Sequence, residues 1–184
     1  MASVRPWQPI LAPGLDVVFV GFNPSPVAAR LGHYYAHPRN RFWELLAASG
    51  LVPVPLGPED DARLPAFGCG LTDLVARATA GAGDLSAAEL ARGGAQVRRR
   101  LARFAPRCAA YTGKGVYAAV AGRAAAGYGP AAPPAVPGIA DFVLPSPSGR
   151  SGLPWAEKLA WYRALAAALP RPGGPAGRPD QSPS

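Results

Sequence analysis

The chain has 184 residues, 49% of them hydrophobic, and a formal net charge of +8. That length and apolar content suit one well-cored globular domain, and the positive balance points to a polyanionic partner, nucleic acid first. No apolar run approaches the length of a membrane span, the opening MASVRPWQP lacks the apolar stretch of a secretory leader, and Cys69 and Cys108 lie far apart with no Cys/His cluster, which argues against a structural zinc or an iron–sulfur site. All cations except Lys114 and Lys158 are arginines, and Ala, Gly and Pro are heavily used. A GC-rich genome gives the same profile, so charge alone leaves nucleic-acid binding as one of two readings. The chain is expected to be a cytoplasmic monomer with both thiols buried and free.

Residues 1–15 read as an irregular lead-in, with Trp7 and Ile10 packed on the body. Asp16–Val20 is a near-continuous apolar run, as expected of a strand buried on both faces, and Gly21–Arg39 is a loop leaving its end. Arg41–Ser49 carries Phe42, Leu45 and Leu46 at helical spacing, with Asn40 as cap and Gly50 as stop. Pro53–Pro58 is loop, Glu59–Pro65 a short helix and Gly68–Val75 a second strand. Ser86-Ala-Ala-Glu89 is a capping box opening a helix that reaches about Phe104, with Arg98-Arg99-Arg100 on a solvated face. Cys108–Thr112 is a third strand, then Gly113-Lys114-Gly115 and a helix to about Ala125. The GK pair lacks the upstream glycine and following hydroxyl residue of a phosphate loop, which excludes a triphosphatase on that motif. Gly127–Gly138 is a Pro-rich surface loop, Ile139–Leu144 a fourth strand and Pro145–Gly152 a flexible loop. Leu153–Leu169 is an amphipathic helix with Trp155, Leu159, Tyr162 and Leu165 inward. Residues 1–169 then form a single domain, and 170–184 a disordered Pro/Gly/Ser-rich tail. Strands alternating with helices predict an α/β layered fold with a mainly parallel sheet.

The loops at Gly21–Arg39 and Pro145–Gly152 leave C-terminal strand ends, and Thr72-Asp73 lies beside another strand. In a parallel sheet all three face one cleft, where open α/β folds bind ligands. An amide (Asn23) among aromatics (Phe22, Tyr34, Tyr35) suits a flat, polar-edged ligand such as a nucleobase. Each residue also has a plainer use. Asn23-Pro24 makes a turn, Tyr35 packs, Ser146–Gly149 is a Gly/Ser turn, and Asp73 caps the next segment or pairs with Arg77. His37 reads as a turn-stabilising residue.

In order and spacing, GFNPSP, YAHPRNRFW, GLTDLV and LPSPSGR resemble the mismatch-specific uracil-DNA glycosylase / thymine-DNA glycosylase family over roughly residues 10–168. The resemblance implies a three-layer α/β/α sandwich with a short, mainly parallel central sheet. It implies a monofunctional enzyme that flips uracil, with thymine and other damaged pyrimidines in range, out of mismatched duplex DNA. Hydrolysis of the N-glycosidic bond, at G·U especially, would leave an abasic site. No metal or organic cofactor is implied, because electrostatics and water placement can supply the catalysis. Asn23 would position the attacking water, and Asp73 is a second catalytic candidate. Phe22 and Tyr35 would hold the base. Ser146, Pro147, Ser148, Gly149, Arg150 and Ser151 would form the DNA-insertion loop, with Arg150 as the wedge. The motifs place no lysine as a Schiff-base nucleophile. Arg150 stands where bacterial relatives often carry Leu, Ser146 where some carry Asn, and Asp73 is not uniform among relatives. Those departures leave the lesion range and the preference for guanine opposite open. Two alternatives stand beside this reading: a uracil glycosylase of another family in the superfamily with single-strand activity, or a catalytically weak binder of mismatches or abasic sites.

Overall fold

Every residue from Val17 to Gly21 is buried, and this stretch is the first strand, β1, of a five-stranded sheet. The computed structural model describes residues 7–170; residues 1–6 and 171–184, which hold nearly all of the expected tail, lie outside it. The other strands are β2 (Cys69–Asp73), β3 (Cys108–Tyr111), β4 (Gly129–Ala131) and β5 (Ala140–Val143), and the sheet order is β2-β1-β3-β5-β4. All neighbours run parallel except β4, which pairs antiparallel with β5. The helices are α1 (Pro26–Leu31), α2 (Phe42–Ser49), α3 (Ala87–Phe104), α4 (Lys114–Ala121) and α5 (Trp155–Ala168).

Strand alternation sorts the core into two layers. Val17, Phe19, Leu71, Ala110 and Phe142 point to one face and pack with Phe42, Leu45 and Leu46 of α2 and Tyr162 and Leu165 of α5. Val18, Val20, Ala109, Tyr111 and Val143 point to the other and pack with Val97 and Leu101 of α3 and Val116, Tyr117 and Val120 of α4. The result is the expected three-layer α/β/α sandwich. Mid-helix Gly94 lets α3 lie directly on α4, since a Cβ there would collide with the Ala119 carbonyl.

Several expectations need correction. The loop after β1 contains α1: Ser25 Oγ accepts from Ala28 N at 3.1 Å, Pro26 opens the helix and Gly32 closes it. The Pro-rich loop contains β4, an edge strand where Pro130 is tolerated. The short helix is a 3-10 segment, Pro58–Phe67. β2 stops at Asp73, and α4 ends at Ala121 on Gly122. Trp155 is exposed rather than inward, with the Arg41 guanidinium 5.2 Å from its ring centroid. The arginine run is not a solvated face: Arg98 Nη1 donates to the Val120 carbonyl and Arg100 Nη1 to Thr72 Oγ1, leaving Arg99 exposed. Both thiols are free and buried, and burial pushes each up to about 12.

The connection from β1 leads to β2 on one side, and the connection from β2 returns across β1 to β3 on the other. The chain reversal therefore lies between β1 and β3, and the crevice past their C-terminal ends is where this topology leaves room for a ligand.

Candidate functional site

A cavity of about 580 Å³ opens at those strand ends. It is lined by Phe22, Asn23, Tyr35, Asp73 and the whole stretch Ser146–Ser151, so the catalytic, base-holding and insertion-loop candidates converge on it, while Thr72 does not line it. The size is that of a small-molecule or nucleobase pocket.

Asn23 follows β1 by two residues, and among the described residues its side chain is held through Nδ2 alone. Its Nδ2 donates to the Arg77 carbonyl and to Thr79 Oγ1, both at 2.8 Å, and Thr79 Oγ1 donates onward to the Gly81 carbonyl at 2.7 Å. Both amide hydrogens are spent on these acceptors, so Oδ1 is the end free to accept from a water or ligand. The supporting segment is itself braced where Arg77 forks onto Glu89, with Nε–Oε1 at 2.8 Å and Nη2–Oε2 at 3.0 Å. Arg77 therefore does not pair with Asp73, and Glu89 is held well down, near 2, first by Arg77 and then by the Ser86 backbone.

Asp73 closes β2 in register with Gly21 of β1. The carboxylate lies over Gly21, where a Cβ would collide with Asp73 Oδ1 and meet the Tyr35 hydroxyl. Glycine at 21 thus makes room for an acid at the cavity floor. Asp73 Oδ2 accepts from Trp7 Nε1 at 2.9 Å, and among the described residues no donor reaches Oδ1. The side chain is 7% exposed, and burial raises its pKa to about 7 against the opposing pull of the Trp7 hydrogen bond and the Arg100 charge.

The aromatic wall is built by the connection between α1 and α2. Tyr35 adopts φ +55, a backbone rarely taken by a bulky residue. Its neighbours fix it there: Tyr34 N donates to Asp61 Oδ2 at 3.1 Å and Trp43 Nε1 to the Tyr34 carbonyl at 3.0 Å. The Tyr35 ring stacks on Phe42 at 4.0 Å, with its hydroxyl 3.4 Å from Thr112 Oγ1. The Phe22 ring lies against Gly113 and Gly115 at the start of α4, and its carbonyl accepts from Val75 N at 3.0 Å. The glycines around Lys114 thus serve ring packing. His37 Nδ1 accepts from Arg39 N at 3.1 Å, the turn role expected of it.

The loop after β5 is pinned from beneath and spans the cavity mouth. The Pro147 carbonyl accepts from Arg41 N at 2.9 Å, and buried Lys158 donates Nζ to the Ser148 carbonyl at 3.1 Å. Gly149 presses against the Arg39 backbone. Arg150 reaches across the mouth to the Ala80 carbonyl at 2.7 Å, joining this loop to the segment that holds Asn23.

Sequence reading missed Thr79, Arg100 and the site role of Trp7. None belongs to a motif with a local signature, and each matters through a partner distant in the chain. Among the described residues no group of three or more His, Cys, Asp or Glu is arranged to hold a metal ion, and no helix is long and apolar enough to cross a membrane. Against the known protein families, the chain matches the model of the uracil DNA glycosylase superfamily over residues 9–169.

Proposed function

The chain belongs to the uracil DNA glycosylase superfamily, whose members are hydrolytic DNA glycosylases, and from that premise we propose that it is a monofunctional glycosylase removing uracil from mismatched duplex DNA, G·U above all. The observation that carries this reading is the one-sided hold on Asn23, which frees its carbonyl oxygen toward a cavity shared with Asp73 and Tyr35.

The chemistry follows from these groups. A flipped uracil enters the cavity and lies against Tyr35, whose ring is already stacked on Phe42 and so keeps its orientation. Asn23 Oδ1 accepts one hydrogen of a water and aims its oxygen at C1′. As the N1–C1′ bond breaks, its electron pair leaves with the base, and the water oxygen bonds to C1′. The ionised Asp73 stabilises the developing positive charge on the sugar and takes the water's proton. An amide is a poor base, so without the carboxylate only the best leaving groups would depart. Lys158 is spent on the Ser148 carbonyl, and Lys114 lies 4.8 Å from the Tyr128 ring centroid. Neither lines the cavity, which favours hydrolysis over Schiff-base lyase chemistry. Arg150 must leave Ala80 to enter the stack, so its wedge role couples DNA engagement to opening of the mouth.

The test is single-turnover excision from duplexes holding G·U, A·U or G·T and from single-stranded uracil DNA, with Asn23→Ala alongside. Excision favouring G·U and lost in Asn23→Ala is the expected result. Equal activity on single strands would move the protein to another branch of the superfamily. Tight binding of G·U duplex without excision would make it a recognition module.

A further inference from the structure

We infer that Trp7 is a positioning residue for Asp73: its indole N–H holds one carboxylate oxygen so that the other faces the cavity as an ionised acceptor. This rests on the catalytic role proposed above for Asp73.

The argument begins with how the lead-in is laid down. Ile10 and Leu71 exchange both backbone hydrogen bonds, at 2.8 Å each, in an antiparallel bridge along the free edge of β2. Counting two residues outward in opposite directions brings Gln8 level with Asp73, with Trp7 just beyond. There the Trp7 ring tilts onto Tyr34 with centroids 4.5 Å apart, and the Tyr34 hydroxyl donates to the Gln8 carbonyl at 3.2 Å. The indole is thus clamped on the cavity wall, with Nε1 2.9 Å from Asp73 Oδ2.

The other groups around the carboxylate do a different job. Arg100, from α3, supplies positive charge, but its Nη1 donates to Thr72 Oγ1 at 3.0 Å and to the Asp73 main-chain carbonyl at 3.1 Å. Tyr34 and Tyr35 face Asp73 from the α1–α2 connection, and burial together with the Asp73 charge holds both phenols neutral. Asp61, further back, binds the Tyr34 N–H. Among the described residues the indole N–H is therefore the one donor that reaches a carboxylate oxygen. Indole donates and cannot accept, so it stabilises the ionised acid and fixes which oxygen it holds. Arg100 sets the local charge without selecting an orientation.

Trp7→Phe keeps the aromatic packing on Tyr34 and removes the donor. The expected result is a pH-dependent defect in single-turnover excision of uracil from a G·U duplex. The acid limb should move up by about one pH unit, so the rate drops about five- to tenfold below neutrality and recovers to within about twofold at pH 9. Trp7→Phe should add nothing in an Asp73→Asn background. A second readout needs no change in the site: the Trp7 Nε1–H proton resonance of the unmodified protein, assigned by its loss in Trp7→Phe, should titrate with the midpoint of the excision profile. That titration should vanish in Asp73→Asn. An equal loss of rate at every pH, or an unshifted profile, would overturn the inference while Asp73→Asn still impaired excision. A fully active Asp73→Asn would instead remove the underlying reading and the inference with it.

Discussion

Two aspartates are buried near opposite ends of the parallel strands of one sheet, and they have been used differently. Asp73 ends β2 and is 7% exposed; Asp141 lies near the start of β5 and is 4% exposed. Burial raises the pKa of both. Asp141 spends both oxygens on the protein, accepting from the Tyr111 hydroxyl at 2.8 Å and from Ala135 N at 2.7 Å. Those bonds tie the β4–β5 connection to the central strands, and neither Asp141 nor its two partners line the crevice. Asp73 spends one oxygen on Trp7 and leaves the other over Gly21, beside the cavity. Burial and a raised pKa are common to both, so neither marks a site alone. The unspent acceptor facing an open volume marks it.

The largest effect expected on this side of the sheet comes from Asn23→Ala. It removes the oxygen that holds the water while leaving Arg77 and Thr79 in place, and single-turnover excision should fall by about 10²-fold or more with G·U duplex affinity retained. Asp73→Asn should follow, with at least about a tenfold fall under the same conditions. Asp141→Asn is the control that can break the comparison. There, either Ala135 N–H faces an NH2 group or the Tyr111 hydroxyl proton loses its acceptor. Melting should show a stability loss of about 1–2 kcal/mol with excision per folded molecule unchanged. An excision defect in Asp141→Asn as deep as that in Asp73→Asn would mean that burial, and not access to the cavity, is the relevant property.

The pH dependence sharpens the same contrast. Asp73 must be ionised to assist, and burial places its ionisation at about 7. Excision should therefore rise through neutrality, with the rate at pH 6 about a tenth of the plateau. The acid limb should be absent in Asp73→Asn. Stability runs the other way. The folded pKa lies above the ordinary 3.8, so the protonated group's contribution is full below about pH 4 and is lost as pH rises through 7. Asp73→Asn should gain in melting temperature relative to the unmodified protein between pH 5 and pH 8. A slower variant that is more stable is what a carboxylate kept for chemistry predicts.

How much of this was legible in the sequence depended on whether the signal was local. The apolar run at Val17–Val20 and the Ser86–Glu89 box are legible, because period and capping are written within a few residues. β4 is not, since Gly129-Pro130 carries turn chemistry and only the pairing with Phe142 and Asp141 makes it a strand. α1 was hidden because a six-residue helix barely establishes a period, although Ser25-Pro26 is a proper start signal. Trp155 satisfied the helical pattern of α5, yet the helix begins before it reaches the sheet, and Arg41 covers the ring instead. Arg98 and Arg100 looked like solvent charge because their acceptors lie on α4 and at the end of β2. Trp7 and Asp73 are 66 positions apart, and only the antiparallel bridge at Ile10 brings them together.

The smallest expected effect lies at the closed aspartate. Tyr111 is fully buried, with its ring edge-on to Tyr117 at 5.3 Å, and among the described residues its hydroxyl has one partner, Asp141 Oδ1. Tyr111→Phe keeps the ring contact and removes that donor. One carboxylate oxygen is then left in a buried site without its bond, and Asp141 shifts further toward its protonated form, because the lost hydrogen bond had been lowering its pKa. Protonation caps the penalty: a neutral carboxyl is cheaper to keep there than an unpaired anion. The cost should therefore be about 1 kcal/mol, a drop of a few degrees in melting temperature, and it should be smaller at pH 5 than at pH 8. Excision should not change at either pH. The two aspartates would then respond to loss of their single side-chain donors in opposite currencies: Trp7→Phe in rate, Tyr111→Phe in stability.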